Sequence, residues 1–338
     1  MTPPFLYVNL LFIMVNTIST RAALLMTLRE KAGKPVSGSA LARDLGVSRV
    51  AVWKGIQALT GAGYPIKTQS AGYTIDPETA NDFLYPWEFG EQEALFRHFD
   101  NTDSTMDRAR ECAERGLAGG TVITAEKQSA GRGRNGGVWA SRQGGLFCTI
   151  LERPGITLAD YCLPAMLFQI AAARALGIIC GKPVWLRWPN DLYIGKRKIA
   201  GVMTELAGEG DLINWLAIGI GVNVNNAVPS EKAVSCANIT GHTVSRREIL
   251  LKIMSEAERL KKHTNSGTAY AQGNRFLAAE WNSLTDCMGA KVAVVYTNKI
   301  CARGIFAGID PAGRCIIKSE NENGSLYFNP GPVSVVLI

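Results

Sequence analysis

Histidine is scarce in this chain: His98, His242 and His263 are the only three in 338 residues, and none stands at metal-ligand spacing from another or from a cysteine. A zinc centre of the usual His/Cys spacing is thereby excluded, and a histidine-based catalytic triad has no base to draw on. The eight cysteines are scattered, with no C-x-x-C pair. They read as thiols of a reducing, cytoplasmic compartment, and no metal site made by protein side chains alone is expected. No Walker A motif is present, and there is neither an internal repeat nor a low-complexity tract. Long apolar runs are few. Residues 5–15 are too short to span a bilayer and lack the basic start and small-residue cleavage site of a secretory signal, so residues 1–17 read as an extension outside the domains, with the start expected at Met14 and the residues before it upstream sequence. Residues 159–180 are apolar over most faces, but Asp160, Gln169 and Arg174 make them a buried helix and not a membrane span.

Positive charge is present, and it is unevenly placed. Residues 1–75 carry eight basic side chains against Glu30 and Asp44, which is +6 of the formal +7 of the whole chain. That asymmetry points to nucleic acid at the N-terminal end. A helical pattern over 18–32 is followed by two helices flanking a Gly46 turn, the second capped by Ser48. In that second helix Val52, Ile56 and Leu59 recur at core spacing, leaving Arg49, Lys54 and Gln57, beside the Ser48 cap, for DNA. A turn at Gly72-Tyr73 predicts a wing, so residues 18–76 read as a winged helix-turn-helix. Two prolines and several acidic residues place a linker at 77–88. Strand-like and helix-like stretches then alternate over 89–286, with strands expected at 184–188, 199–206 and 214–224. Five short alternating runs over 287–338 predict a small β-barrel.

The chemistry gathers around Gly131-Arg132-Gly133-Arg134-Asn135-Gly136-Gly137-Val138-Trp139. Four glycines and two arginines make a loop suited to phosphate or carboxylate oxygens, a mobile anion-binding lid. Gly131, Gly133 and Gly136 formally satisfy G-x-G-x-x-G, but a dinucleotide fingerprint must open a helix, and here the strand-like 146–151 follows. A solvated surface loop is the plain alternative. Other polar stretches accompany it: Asp103-Ser104-Thr105-Met106, Gln128 at the end of a strand, Arg187-Trp188-Pro189-Asn190-Asp191, Lys198-Ile199-Ala200-Gly201, and Gly219, Gly221, Asn223 in a glycine-bearing strand.

These motifs, with the winged helix before them and the small barrel after, resemble the bacterial bifunctional biotin protein ligases that are also biotin operon repressors. The resemblance runs from Ile18 to the C-terminus. It implies an α/β (α+β) multidomain chain with a central mixed-sheet ligase domain of class II synthetase-like fold and an SH3-like C-terminal barrel. It implies ATP with Mg2+, biotin as substrate, and biotinyl-5'-AMP as intermediate. The partners implied are a biotin carboxyl carrier protein, operator DNA and a second copy in an adenylate-bound homodimer. Biotin is expected against Ser104, Thr105, Met106, Gln128, Arg132, Gly133, Arg134 and Lys198, and the nucleotide against Arg134, Trp139, Asn190, Gly221 and Asn223. Arg134, Lys198 and Asp191 are the expected catalytic groups, with Asp191 either taking the acceptor lysine's proton or orienting its loop. The chain departs from the family pattern at Met106, Asn135, Gly137 and Arg187, the last replacing a lysine at an expected phosphate contact. Two alternatives stay open: a repressor with an inactive biotin-sensing domain, and a lipoate or octanoate ligase.

Overall fold

The computed structural model describes residues 18–31, 33–76, 82–264, 270–297, 299–319 and 324–338; the expected extension at 1–17 lies outside them. The chain divides into two compact units.

The first unit holds α1 (Thr20–Glu30), α2 (Gly38–Asp44), α3 (Arg49–Gly61) and the hairpin β1 (Ile66–Gln69) and β2 (Gly72–Ile75). Each helix opens on a serine: Ser19, Ser37 and Ser48 accept from the backbone N–H of Ala22, Ala40 and Ala51 at 3.2, 3.1 and 3.1 Å, satisfying one free helix donor each. Leu24, Leu28, Leu41, Val52, Ile56 and Leu59 fill the core between them. The hairpin turn is at Ser70-Ala71 and not at Gly72-Tyr73, because Gln69 pairs with Gly72. Gly72 has another duty: at φ 132° its missing Cβ leaves room for the carbonyl of Val36, which a side chain would meet at 2.1 Å. Val36 bridges to Tyr73 there and adds a third strand position to the wing.

Of the stretch read as a linker, the described residues 82–88 are packed structure, and the chain passes between the two units within it. Residues 77–81 lie outside the described residues, 82–84 belong to the second unit, and 85–96 belong to the first. There a 3-10 turn, Pro86–Leu95, sets the buried Glu88 against Arg29 at 2.7 Å and the hydroxyl of Tyr64 at 2.6 Å. Proline and acid marked a turn with a carboxylate tie, which composition alone does not distinguish from a linker.

The second unit is built on a seven-stranded sheet of order β3-β4-β5-β9-β8-β7-β6. Its strands are β3 (Phe96–Thr102), β4 (Val122–Gln128), β5 (Leu146–Glu152), β6 (Trp185–Arg187), β7 (Asp191–Ile194), β8 (Arg197–Glu209) and β9 (Leu212–Val222). From β4 to β6 every neighbouring pair is antiparallel, so of the two wordings α/β and α+β the second describes it. Side chains alternate between the faces. On one face α4 (Thr105–Glu114) packs Met106 and Ala109 on Ile123 and Ala217, with Met203 beside them. The residues between them in sequence, among them Ile218, Ile220, Val222 and Val202, are buried on the other. The helices α5 (Cys162–Cys180), α6 (Cys236–Thr240), α7 (Arg246–Thr264) and α8 (Tyr270–Ser283) complete this unit, and α5 packs against α7, α8 and β8. By length and composition α5 could cross a membrane, yet Gln169 in its middle is buried between the indole of Trp281 and the carbonyl of Pro189, as in a core helix.

The C-terminal strands β10 (Lys291–Tyr296), β11 (Lys299–Ile309), β12 (Cys315–Ser319), β13 (Ser325–Phe328) and β14 (Val333–Leu337) form a second antiparallel sheet of order β13-β12-β11-β10-β14. Bulges at Val294/Val295 and Phe306/Ile309 bend it. It belongs to the same compact unit as the larger sheet.

Candidate functional site

The site lies on the α4 face of the large sheet and begins at that helix's first turn. Ser104 caps α4, its Oγ accepting from Met106 N at 3.2 Å. The N–H and hydroxyl of Thr105 both donate to Gln128 Oε1, at 2.7 and 3.0 Å, and Gln128 Nε2 donates to Ser141 Oγ at 2.7 Å. Thr149 closes the chain by donating to Thr105 Oγ1 at 2.9 Å. Two donors meet Gln128 Oε1, so its amide has one orientation. Ser104, Thr105 and Gln128 are therefore brought together as expected; Ser141 and Thr149, which hold them, had no signal in the sequence. Met106 lies over Gly219, where a Cβ would come within 2.6 Å of its sulfur.

Residues 131–139 fold as a small closed hairpin, more regular than the irregular lid expected. Trp139 N donates to Gly131 O at 2.9 Å, Arg132 bridges to Val138, and Gly133 N donates to Gly137 O at 2.7 Å. The tip needs two consecutive left-handed residues, Asn135 at φ 55° and Gly136 at φ 73°. No helix follows, so the G-x-G-x-x-G spacing is not a dinucleotide turn.

The two arginines of this hairpin have opposite surroundings. Arg132 is held by Asp107 of α4 at 2.6 Å and Glu205 of β8 at 2.9 Å, and Arg110 bonds both carboxylates from the other side. The hydrogen bond to Asp107 is the main reason its pKa is raised. Arg132, expected to close over biotin, is thus a neutralised anchor. Arg134 makes no ion pair among the described residues: it donates to Asn190 Oδ1 at 3.3 Å, to the carbonyl of Gly331, and to that of Val333 at 2.9 Å. Burial lowers its pKa, with Asp191 pulling the other way. Tyr161, at the start of α5, holds the same C-terminal segment by donating to Pro330 O at 2.7 Å.

Beside Arg134, the Lys198 ammonium lies 2.7 Å from Asp191 Oδ1 and 5.2 Å from the centre of the Trp139 ring. Asp191 begins β7, Lys198 lies in β8, and the antiparallel pairing of those strands sets the two side chains together. Trp139 lies against Gly221 and Gly201, where a Cβ would meet its ring at 2.5 and 3.3 Å. Its indole N–H is buried without a hydrogen-bond partner. A flat ring over a glycine floor, with an unused donor, fits a planar heterocycle carrying acceptor nitrogens. Asn190 is in the cluster, its carbonyl accepting from Val202 N at 2.9 Å. Asn223 plays a supporting part: its Oδ1 accepts from Asn226 at 3.1 Å, and its carbonyl anchors Cys236 N at 3.0 Å. Cys236 follows a strap, residues 232–234, that bonds the backbone of Lys198 on both sides. Arg187 does not reach this cluster. It pairs with Asp286 at 2.8 Å and lies over Tyr193 at 4.1 Å, a structural tie in place of the expected phosphate contact.

The histidines stand apart from this site. His98 is buried on β3 with Nδ1 2.9 Å from Thr124 Oγ1, and burial lowers its pKa. In the first unit Arg49, Lys54 and Gln57 are exposed along α3 as expected, while the Ser48 hydroxyl is used in capping. Val50 and Trp53 are exposed with them.

Residues 98–223 match the biotin/lipoate A/B protein ligase family, and residues 20–74 match an HTH domain. The bifunctional ligase/repressor BirA of Bacillus subtilis is 32% identical over 231 residues, covering 65% of this chain and 71% of the relative. The biotin--[acetyl-CoA-carboxylase] ligase of Paracoccus denitrificans is 32% identical over 228 residues, 64% of this chain and 91% of the relative. The chain belongs to the biotin protein ligase family. Among solved structures, the biotin protein ligase from Aquifex aeolicus in complex with biotin and ATP superposes with a TM-score of 0.60 at 28% identity, covering 72% of this chain and 99% of that one. In this biotin protein ligase the matched stretch starts in β3 and ends just after β9, so it holds the cluster but not its supports from Asn226, the 232–236 strap and the C-terminal carbonyls that hold Arg134 and Tyr161.

Proposed function

We propose that this protein activates biotin with MgATP to biotinyl-5'-AMP, transfers the biotinyl group to a lysine of a biotin carboxyl carrier protein, and represses transcription through its winged helix in the cytoplasm. The observation that carries the site assignment is the contrast between its arginines: one is neutralised by two carboxylates, and the other is half-buried with neutral hydrogen-bond partners only. A desolvated cation without a carboxylate is the group best suited to take an anion.

Adenylation joins two anions, because a carboxylate oxygen of biotin attacks the α-phosphorus while the bond to pyrophosphate breaks. Arg134 and Lys198 offset that repulsion, and Mg2+ enters on the phosphates. Thr105 and Gln128 orient the biotin ring system, and Met106 supplies an apolar wall over Gly219. Trp139, Gly221 and Asn190 receive the nucleotide. As Lys198 turns to the phosphate, Asp191 is freed from its ion pair and takes the proton of the acceptor amine, which displaces AMP from the acyl carbon. No enzyme nucleophile is required.

Incorporation of labelled biotin into a carrier domain, with ATP and Mg2+ and beside lipoate, tests this reading. Biotin but not lipoate is expected to be incorporated with release of pyrophosphate. Incorporation of lipoate alone gives the lipoate ligase reading, and no pyrophosphate from either gives an inactive sensor.

A further inference from the structure

The exposed arc of α3 has apolar side chains where a base-reading helix has its centre. Val50 is 60% and Trp53 54% exposed, on a helix whose opposite side is fully buried at Val52, Ile56 and Leu59. At about 100° per residue, Arg49, Trp53, Gln57, Val50 and Lys54 follow one another around the helix at roughly 0, 40, 80, 100 and 140°. Gly55, Leu59, Val52 and Ile56 occupy roughly 240 to 340°. The two cations are therefore the flanks of the arc, and Trp53, Gln57 and Val50 its middle.

When a helix lies in the major groove, the middle of its outward arc meets base edges and its flanks meet the phosphate strands on either side. The apolar feature of a base edge there is the C5-methyl of thymine. We infer that Trp53 and Val50 read thymine methyl groups in an operator half-site, with Gln57 between them on a purine edge, while Arg49 and Lys54 are phosphate contacts that carry no sequence information. The basic excess of residues 1–75 favours a DNA duplex as the occupant of this face over a second copy of the same basic surface. The inference rests on the repressor reading above and divides the DNA contacts expected of Arg49, Lys54 and Gln57 between phosphates and bases.

The full chain, with biotin and MgATP, is used to select duplexes from a random pool, and the selected duplex is titrated by anisotropy with each thymine replaced in turn by deoxyuridine. Wild type is expected to lose about three- to five-fold for each contacted methyl removed. Trp53→Ala, and Trp53→Gln as a second variant that keeps a polar surface, should bind the thymine and uracil duplexes equally at the position Trp53 reads, and Val50→Ala should do so at its own. Arg49→Ala and Lys54→Ala should weaken both alike and each reduce the salt slope by about one. Undiminished thymine preference in both Trp53 variants overturns the inference, as does a changed base preference in Arg49→Ala. Loss of self-association in Trp53→Ala with equal loss on both duplexes would assign the face to a second copy and overturn it too. Failure of wild type to select any duplex defeats the repressor reading itself.

Discussion

Arg132 and Arg134 stand two positions apart with the same charge, and only their surroundings separate an anchor from an anion ligand. Lysine 198 is the third cation, and its charge faces the place where negative charge accumulates during adenylation. Lys198→Ala is expected to lower adenylate formation by about 10²- to 10³-fold, as for loss of one preorganised electrostatic donor. Pyrophosphate release at the wild-type rate, with the fold intact by circular dichroism, would refute the role. Arg134→Gly should still form biotinyl-5'-AMP, more slowly because Lys198 alone then offsets the repulsion, but release it, because the reactive anhydride loses the group that covers it. Biotinylation of bystander lysines should rise; adenylate retained as long as in wild type contradicts the assignment.

At the scale of the element, the hairpin 131–139 depends on its fixed end. Glu205→Gln removes one of the two carboxylates on Arg132, and a half-exposed pair of this kind contributes about 0.2 to 1 kcal/mol. Adenylate should escape about 1.4- to five-fold faster, with its rate of formation unchanged; a fall in formation with no change in escape would make Glu205 part of the chemistry instead. The sequence made the ingredients of this site legible because glycine-arginine loops and strand glycines have few structural uses. It concealed the arrangement. Asp107 and Glu205 look like ordinary surface acids, one in a helix and one in a strand, and only the register of β8 with β9 brings Glu205 to the α4 face. Ser48, the core positions of α3 and the five C-terminal strands were readable from local spacing alone. The wing turn was misplaced by two residues because a glycine needed for close approach looks the same as one needed for a turn. The carboxylate tie inside the expected linker was not legible, because Glu88 finds its partners, Arg29 and Tyr64, far away in sequence.

Over the whole molecule, the first coupling to test is between ligand and DNA. One winged helix reads a half-site, so we expect tight operator binding to need a dimer that the adenylate promotes. Gel shifts at fixed salt should show specific binding with biotin plus ATP and little with biotin alone; equal affinity with and without both ligands leaves a ligase without a biotin switch. The second concerns pH. His98 is buried near Asp100 and Glu126, and burial holds its pKa below the ordinary 6.5. Below pH 6.5 the unfolded chain takes up a proton that the folded chain does not, so the stability is complete above that value and lost as pH falls towards the folded pKa. The melting temperature should drop between about pH 7 and 5.5, and His98→Gln should flatten that drop; an equal slope in the variant would place its origin elsewhere. The grip on Arg134 has a different kind of consequence. Its holders in the C-terminal segment are main-chain carbonyls of Gly331 and Val333, with Pro330 O tied to Tyr161. Truncating Val333 to alanine would thus score nearly silent, and this contact would leave no pairwise trace in the side chains of a protein family, although ending the chain at Phe328 would remove it altogether.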